Sequence, residues 1–275
     1  MKPALFDFAV AQSLSDAQSA LLGGRNKLVS GNQSLGPMLN LRLTRPAGLI
    51  DISRLPELRA VEEHENYVRF GAAVTHAEIE DGEVPDPTVH WMRNAAANIA
   101  YRAVRNRGTI GGSLAHADPA ADWVIVMTGL CATAVVKGAA PDATLRTIPM
   151  EEFITGPYST ALGPEDMLTA IDVPKPGQGA RWSYWKYTRQ VGEFAKASAA
   201  ILIDPANNRT RIAIGALGRQ PALISNPETI LDGSKSPMEA LSVAIPDQPA
   251  TALHLHAVAL SRALEQIKVA KEFSA

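Results

Sequence analysis

The chain has 275 residues, 46% of them apolar and 20% charged, with a formal net charge of -2. That length supplies one large or two modest domains with ample core, and the near-neutral balance gives no reason to expect nucleic acid or an anionic membrane as partner. One cysteine, Cys131, excludes an internal disulfide framework and any iron–sulfur or zinc site built from several cysteines of this chain alone.

Residues Met1 to Phe8 carry no apolar run suited to a signal peptide, and no later stretch is long enough to span a bilayer. The expectation is a soluble, cytoplasmic protein. Ala17, Ala20 and Leu21 predict a short amphipathic helix capped by Ser13 or Ser15 and stopped at Gly23-Gly24. A strand over Lys27, Leu28 and Val29 runs into a glycine-centred turn, Ser30-Gly31-Asn32-Gln33-Ser34. Pro37 starts a helical turn, and Gly48 to Ile52 reads as a buried strand. Leu58–Val61 and Tyr67–Phe70 predict a hairpin, and Thr75 with Glu78 a capping box. Trp91, Ala95, Ile99 and Arg102 lie at helical spacing, predicting one helix over 88–104. A second glycine turn follows, Thr109-Ile110-Gly111-Gly112-Ser113, and Asp118-Pro119 starts an apolar helix from Ala120 to Leu130.

A hairpin is expected over Ala132–Lys137 and Ala143–Thr147, turning at Pro141-Asp142. Residues 149–153 form a helical turn, and Met167 to Pro174 a strand closed by proline. The segment Pro174 to Gly179 is the best boundary signal. Beyond it three strands, 182–188, 198–203 and 210–217, meander around a turn at Pro205–Asn208, and helices at 227–232, 236–243 and 249–271 finish an α+β chain.

Each glycine turn pairs a permissive backbone with short hydroxyl or amide donors, and its successive N–H groups suit an anion such as phosphate. Both lead into helical stretches able to offer N-terminal amides. Neither fits the P-loop or the Gly-x-Gly-x-x-Gly fingerprint. Arg102, Arg105 and Arg107 form a phosphate patch, a docking surface or a solvated face. His116 beside the second turn supports the turn or touches a ligand. Cys131 reads as a buried inert thiol, and His254 and His256, two apart on a helix, as surface residues. Trp182, Tyr184, Trp185 and Tyr187 alternate across a strand, and the sequence leaves open which of them faces a site.

Ser30-Gly31-Asn32-Gln33-Ser34 with Pro37 to Leu43, and the segment Gly108 to Asp122, together resemble the two flavin loops of the molybdenum hydroxylases. That family includes xanthine dehydrogenase, carbon monoxide dehydrogenase and bacterial N-heterocycle hydroxylases. The resemblance runs end to end and points to the separate medium, FAD-binding subunit. It implies a two-subdomain FAD-binding fold over 1–176 (subdomains about 1–55 and 56–176), then a C-terminal domain over 177–275 with a three-stranded antiparallel sheet and helices. It implies that 27–34 and 109–113 cradle the FAD pyrophosphate and ribityl chain, and that Ile99 packs on the cofactor. It further implies that Asp122 hydrogen-bonds within the site, that Leu168 lines the ring pocket, and that Lys186 sits near the flavin ring. A lysine there favours negative charge on the reduced ring. Asn32 stands where many bacterial members have glycine; asparagine tolerates the left-handed region, so only local geometry is at issue.

The resemblance also implies a molybdopterin cofactor in a large partner subunit and two 2Fe–2S clusters in a small one. The assembly is then a heterotrimer or its dimer, passing electrons through FAD to an external acceptor. The lone cysteine is in keeping with clusters held by another chain. A flavin-free assembly subunit and a self-sufficient flavoenzyme are the alternatives; the intact glycines oppose the first, and the lack of an acid–base pair the second.

Overall fold

The computed structural model describes residues 2–138, 140 and 143–270. Its first unit is parallel. β1 (Asp7–Val10) leads to α1 (Leu14–Leu21), whose cap Ser13 accepts from the Asp16 amide at 3.1 Å. Then come β2 (Asn26–Val29), α2 (Leu35–Asn40) and β3 (Gly48–Asp51), in sheet order β1-β3-β2. α2 starts two residues before Pro37, directly after the first glycine turn. All four residues of β1 are exposed, Phe8 among them.

Pro56 presets a helical φ, so Leu58 falls in α3 (Pro56–Arg59) and not in the expected strand. The hairpin therefore begins at β4 (Val61–Glu63) and pairs with β5 (Tyr67–Gly71). α4 (His76–Asp81) carries the Thr75–Glu78 capping box in full. The single helix expected over 88–104 is instead α5 (Trp91–Ala97) and α6 (Arg102–Arg105), with Ala100 at φ 42° between them. The second glycine stretch is not a turn. It is the start of α7 (Ile110–His116), capped by the Thr109 hydroxyl. Residues 118–121 make a tight turn, so α8 (Asp122–Gly129) starts two residues late, and every residue of it is buried.

β6 (Thr133–Lys137) and β7 (Leu145–Pro149) form the next hairpin, whose expected turn residues Pro141-Asp142 lie outside the described residues. α9 (Met150–Phe153) and the small pair β8 (Ile154–Gly156) and β9 (Ser159–Thr160) lead to β10 (Met167–Pro174). β10 is the middle strand of a five-stranded antiparallel sheet in the order β4-β5-β10-β6-β7.

After the Pro174–Gly179 link come β11 (Arg181–Tyr187), β12 (Ala197–Asp204), β13 (Arg209–Gly215) and β14 (Ala222–Leu223). The antiparallel sheet thus has four strands where the sequence predicts three. α10 (Glu228–Leu231), α11 (Pro237–Ala244) and α12 (Ala250–Val269) complete the chain. One face of this sheet (Ile201, Ile212, Ile214) packs on Leu260, Ala263 and Ile267 of α12. Each such fully buried aliphatic side chain contributes roughly 1.5–3 kcal/mol. The other face joins the main core, where Tyr184, Leu202 and Ala213 pack with Trp91, Trp123 and Phe70. His256, expected at the surface, is buried on the inward face of α12 with its Nδ1 unpartnered among the described residues. The fold is α+β, and among the described residues no helix is long and apolar enough to cross a membrane.

Candidate functional site

The first loop leaves β2 at Ser30. Gly31 does not occupy a glycine-only conformation; it is required by contact, since a Cβ there would lie 2.0 Å from the Arg107 carbonyl oxygen. The left-handed residue is Asn32, at φ 59°. Among the described residues the backbone N–H groups of Gly31, Asn32, Gln33 and Ser34 have no protein acceptor. The Ser30 hydroxyl oxygen is buried with no partner either. Four consecutive open amides around a left-handed residue form a concave anion nest. Lys27 is exposed, Leu28 half-buried and Val29 buried in the strand that delivers the loop. Arg107, Ser30 and Asn32 also line a cavity of about 290 Å³ against Phe6, Phe8 and Leu39. The two loops thus meet directly, backbone to backbone.

The second loop differs from expectation. The Ile110 N–H donates to Val74 O and the Gly111 N–H to Ala72 O, both at 3.0 Å. Gly112 and Ser113 donate to the Thr109 hydroxyl and carbonyl, at 3.1 and 3.0 Å. The opening amides of α7 are therefore spent within the protein. What this loop can offer a ligand is the exposed Gly112 and the half-exposed Ser113 hydroxyl. Gly111 is again a contact glycine, its Cβ position lying 2.4 Å from Ala72 Cβ. Behind the loop, His76 N–H donates to Gly108 O at 2.9 Å and His76 Nδ1 accepts from Trp123 Nε1 at 3.0 Å. Burial, helped by nearby Arg105, pushes the His76 imidazole down to about 3, so it stays neutral.

The third component joins α8 to β11. Asp122 Oδ1 accepts from the Tyr184 hydroxyl at 2.7 Å and from Lys186 Nζ at 2.6 Å. Lys186 Nζ also donates to Asn98 O at 2.8 Å, beside Ile99 in the α5–α6 break. Lys186 is thus ion-paired with a carboxylate and is not a bare cation. Leu168 on β10 is buried in the main core, and Ile99 packs against that core half-buried. Of the four aromatics, Trp182 stacks on Trp91 with centroids 5.4 Å apart, Trp185 faces the second core and Tyr187 is 40% exposed. Tyr184 was not singled out by the sequence, although it lies two residues from Lys186 and so shares its strand face.

The arginines separate. Arg105 pairs with Glu80 at 2.7 Å and Arg102 with Glu80 and Asp81, so neither is free for phosphate. Among the described residues Arg107 has no carboxylate partner, and it faces the cavity. His116 rests against Tyr158 with ring centroids 5.2 Å apart. Cys131 is half-buried, and burial pushes its thiol up, away from the reactive thiolate. No group of three or more His, Cys, Asp or Glu able to hold a metal occurs among the described residues.

Residues 4–176 match the family model described as the FAD binding domain in molybdopterin dehydrogenase. Over 242 residues the chain is 34% identical to the nicotine 6-hydroxylase medium subunit of Paenarthrobacter nicotinovorans, covering 86% of this chain and 83% of that one. It is 35% identical over 210 residues to the carbon monoxide dehydrogenase medium chain of Hydrogenophaga pseudoflava, covering 76% and 72%. Among solved structures, the reconstituted CO dehydrogenase from Oligotropha carboxidovorans superposes with a TM-score of 0.89 at 27% identity, covering 98% of this chain and 100% of the other.

Those matches define the class: an FAD-binding α+β subunit of an oxidoreductase. Within that class the chain belongs to the FAD-binding medium subunits of the molybdenum hydroxylase family.

Proposed function

We propose that this chain holds FAD between its two glycine loops and serves as the electron-transfer subunit of a molybdenum-containing hydroxylase or dehydrogenase. The substrate is oxidised at a molybdopterin cofactor in a large partner subunit. Electrons reach this chain from two 2Fe–2S clusters in a small subunit and leave for an external acceptor, the three chains forming a heterotrimer or its dimer. Relatives whose names call them medium subunits or chains support that reading.

The observation that carries it is the nest: four open amides at 31–34 beside the orphaned Ser30 hydroxyl, closed from behind by the Arg107–Gly108 backbone. A diphosphate supplies the acceptors those donors lack. The cavity beside it is at the lower end of the roughly 300–1,000 Å³ typical of ligand pockets, so it takes only part of a dinucleotide.

Bound FAD supplies a carrier that accepts and releases electrons. The chain supplies the rest. The first loop binds through backbone donors, with the Ser113 hydroxyl on the facing side. Ile99 and Leu168 keep water from the ring, and Asp122 with Lys186 fixes a paired charge near it. No side chain is assigned an acid–base or nucleophilic step.

The test is to purify the complex from cells co-expressing the three chains and to extract its flavin. The expected result is one FAD per copy of this chain and a flavin spectrum bleached when the complex's substrate is added. A complex that yields no extractable flavin and takes up no FAD on reconstitution overturns the proposal.

A further inference from the structure

Asp122 is the meeting point of two donors that arrive together on one strand. Tyr184 and Lys186 are two residues apart on β11, on the same face, and both reach the same carboxylate oxygen, at 2.7 and 2.6 Å. Tyr184 is 8% exposed, and the Lys186 and Asp122 side chains are 14% and 8% exposed. No donor reaches Asp122 Oδ2 among the described residues, and that oxygen is not sealed from solvent. Asp122 also opens α8, where the helix dipole favours a negative charge.

We propose that Tyr184 is a positioning residue: its hydroxyl holds Asp122 so that the Asp122–Lys186 pair presents a fixed, nearly compensated charge to the flavin. This rests on the reading of the chain as an FAD subunit, with Lys186 beside the ring. It revises the simpler expectation of a lone lysine cation there. The hydroxyl is well suited to the task. Burial, and then the neighbouring carboxylate, push its ionisation well above the ordinary tyrosine value, so it remains a donor throughout the working pH range.

The signs follow from electrostatics in a poorly solvated site. The hydroxyl withdraws negative potential from Asp122, so removing it leaves the carboxylate field less compensated. A more negative field opposes the negative charge gained on reduction, and the midpoint potential falls. Removing the carboxylate charge acts in the opposite direction. Removing the lysine charge acts in the same direction as removing the hydroxyl.

A purely structural role for Tyr184 gives a different pattern. The side chain sits in the main core, between α8 and the C-terminal sheet, so its loss could act by loosening that contact. Loosening lowers flavin retention and thermal stability without a signed change in potential, and it does not depend on Lys186.

The experiment measures the flavin midpoint potential of the purified complex by spectroelectrochemistry, together with FAD content, for wild type, Y184F, D122N, K186Q and the Y184F/K186Q double variant. Y184F is expected to keep its FAD and shift the potential down, and D122N to shift it up. In the K186Q background the further effect of Y184F should be smaller than in wild type, because without Lys186 there is no ion pair left for the hydroxyl to position. A Y184F potential equal to wild type, or a Y184F shift of full size in the K186Q background, overturns the inference. Should Y184F fail to assemble, D122N decides alone: an unchanged or lowered potential overturns it. A wild-type complex that holds no FAD instead defeats the underlying reading, so the two failures are told apart.

Discussion

Replacing Ser30 by alanine removes a hydroxyl whose oxygen is buried without a partner. A buried polar group left unsatisfied costs about 1–3 kcal/mol. The flavin-free S30A chain is therefore expected to gain about 1 kcal/mol in urea unfolding while its FAD affinity drops roughly tenfold, opposite signs that a merely structural serine does not give. Loss of both properties together would falsify the ligand-facing role. Gly31 makes a second test, because its Cβ position is 2.0 Å from backbone oxygen, an atom that no rotamer change can move. G31A is expected to cost roughly 1–3 kcal/mol and to lower the flavin-to-protein ratio, both measurable on the purified chain.

Elements defined by local chemistry were legible, and those defined by distant partners were not. The Ser13 cap and the Thr75–Glu78 box follow from two side chains reaching a nearby amide, and both helices begin where those residues stand. The α5–α6 break carries no proline or glycine. Its freed carbonyls at Asn98, Ile99 and Ala100 accept from Lys186 and Arg105, so the break depends on a side chain 88 residues away. β14 is only two residues long and too brief for any periodicity. The nest shows the same division. Its residues were readable as a glycine turn, but the spending of α7's amides on Ala72 and Val74 was not. His256 could have been read from the inward stripe it shares with Ala259, Leu260 and Ala263 on α12. With His76 at about 3 and His256 at about 4, both lie below the unfolded value near 6.5, so between those values the unfolded chain binds more protons. Stability from these groups is complete above about pH 6.5 and is lost as pH falls toward 3 to 4. Urea midpoints between pH 7 and 4.5 should drop accordingly, and H256L should flatten the slope; an identical slope in H256L removes His256 from the account.

The whole molecule is joined through a core that both halves contribute to. Trp182 stacks on Trp91, and Tyr184, Leu202 and Ala213 pack within the core built by residues before 176. A fragment ending at residue 176 is therefore expected to expose that surface, bind a hydrophobic dye and lose a sharp thermal transition, while the full chain does neither. A soluble 1–176 fragment with a cooperative melt would show that the FAD-binding region folds alone. The central place of β10 carries one more consequence. Its partners β5 and β6 both precede it in the chain, yet neither can pair with it until Pro174 has been made. On the ribosome, β5 and β6 therefore each keep one edge open until β10 has been made, and the sheet closes only as the chain reaches the link that leads to its C-terminal half.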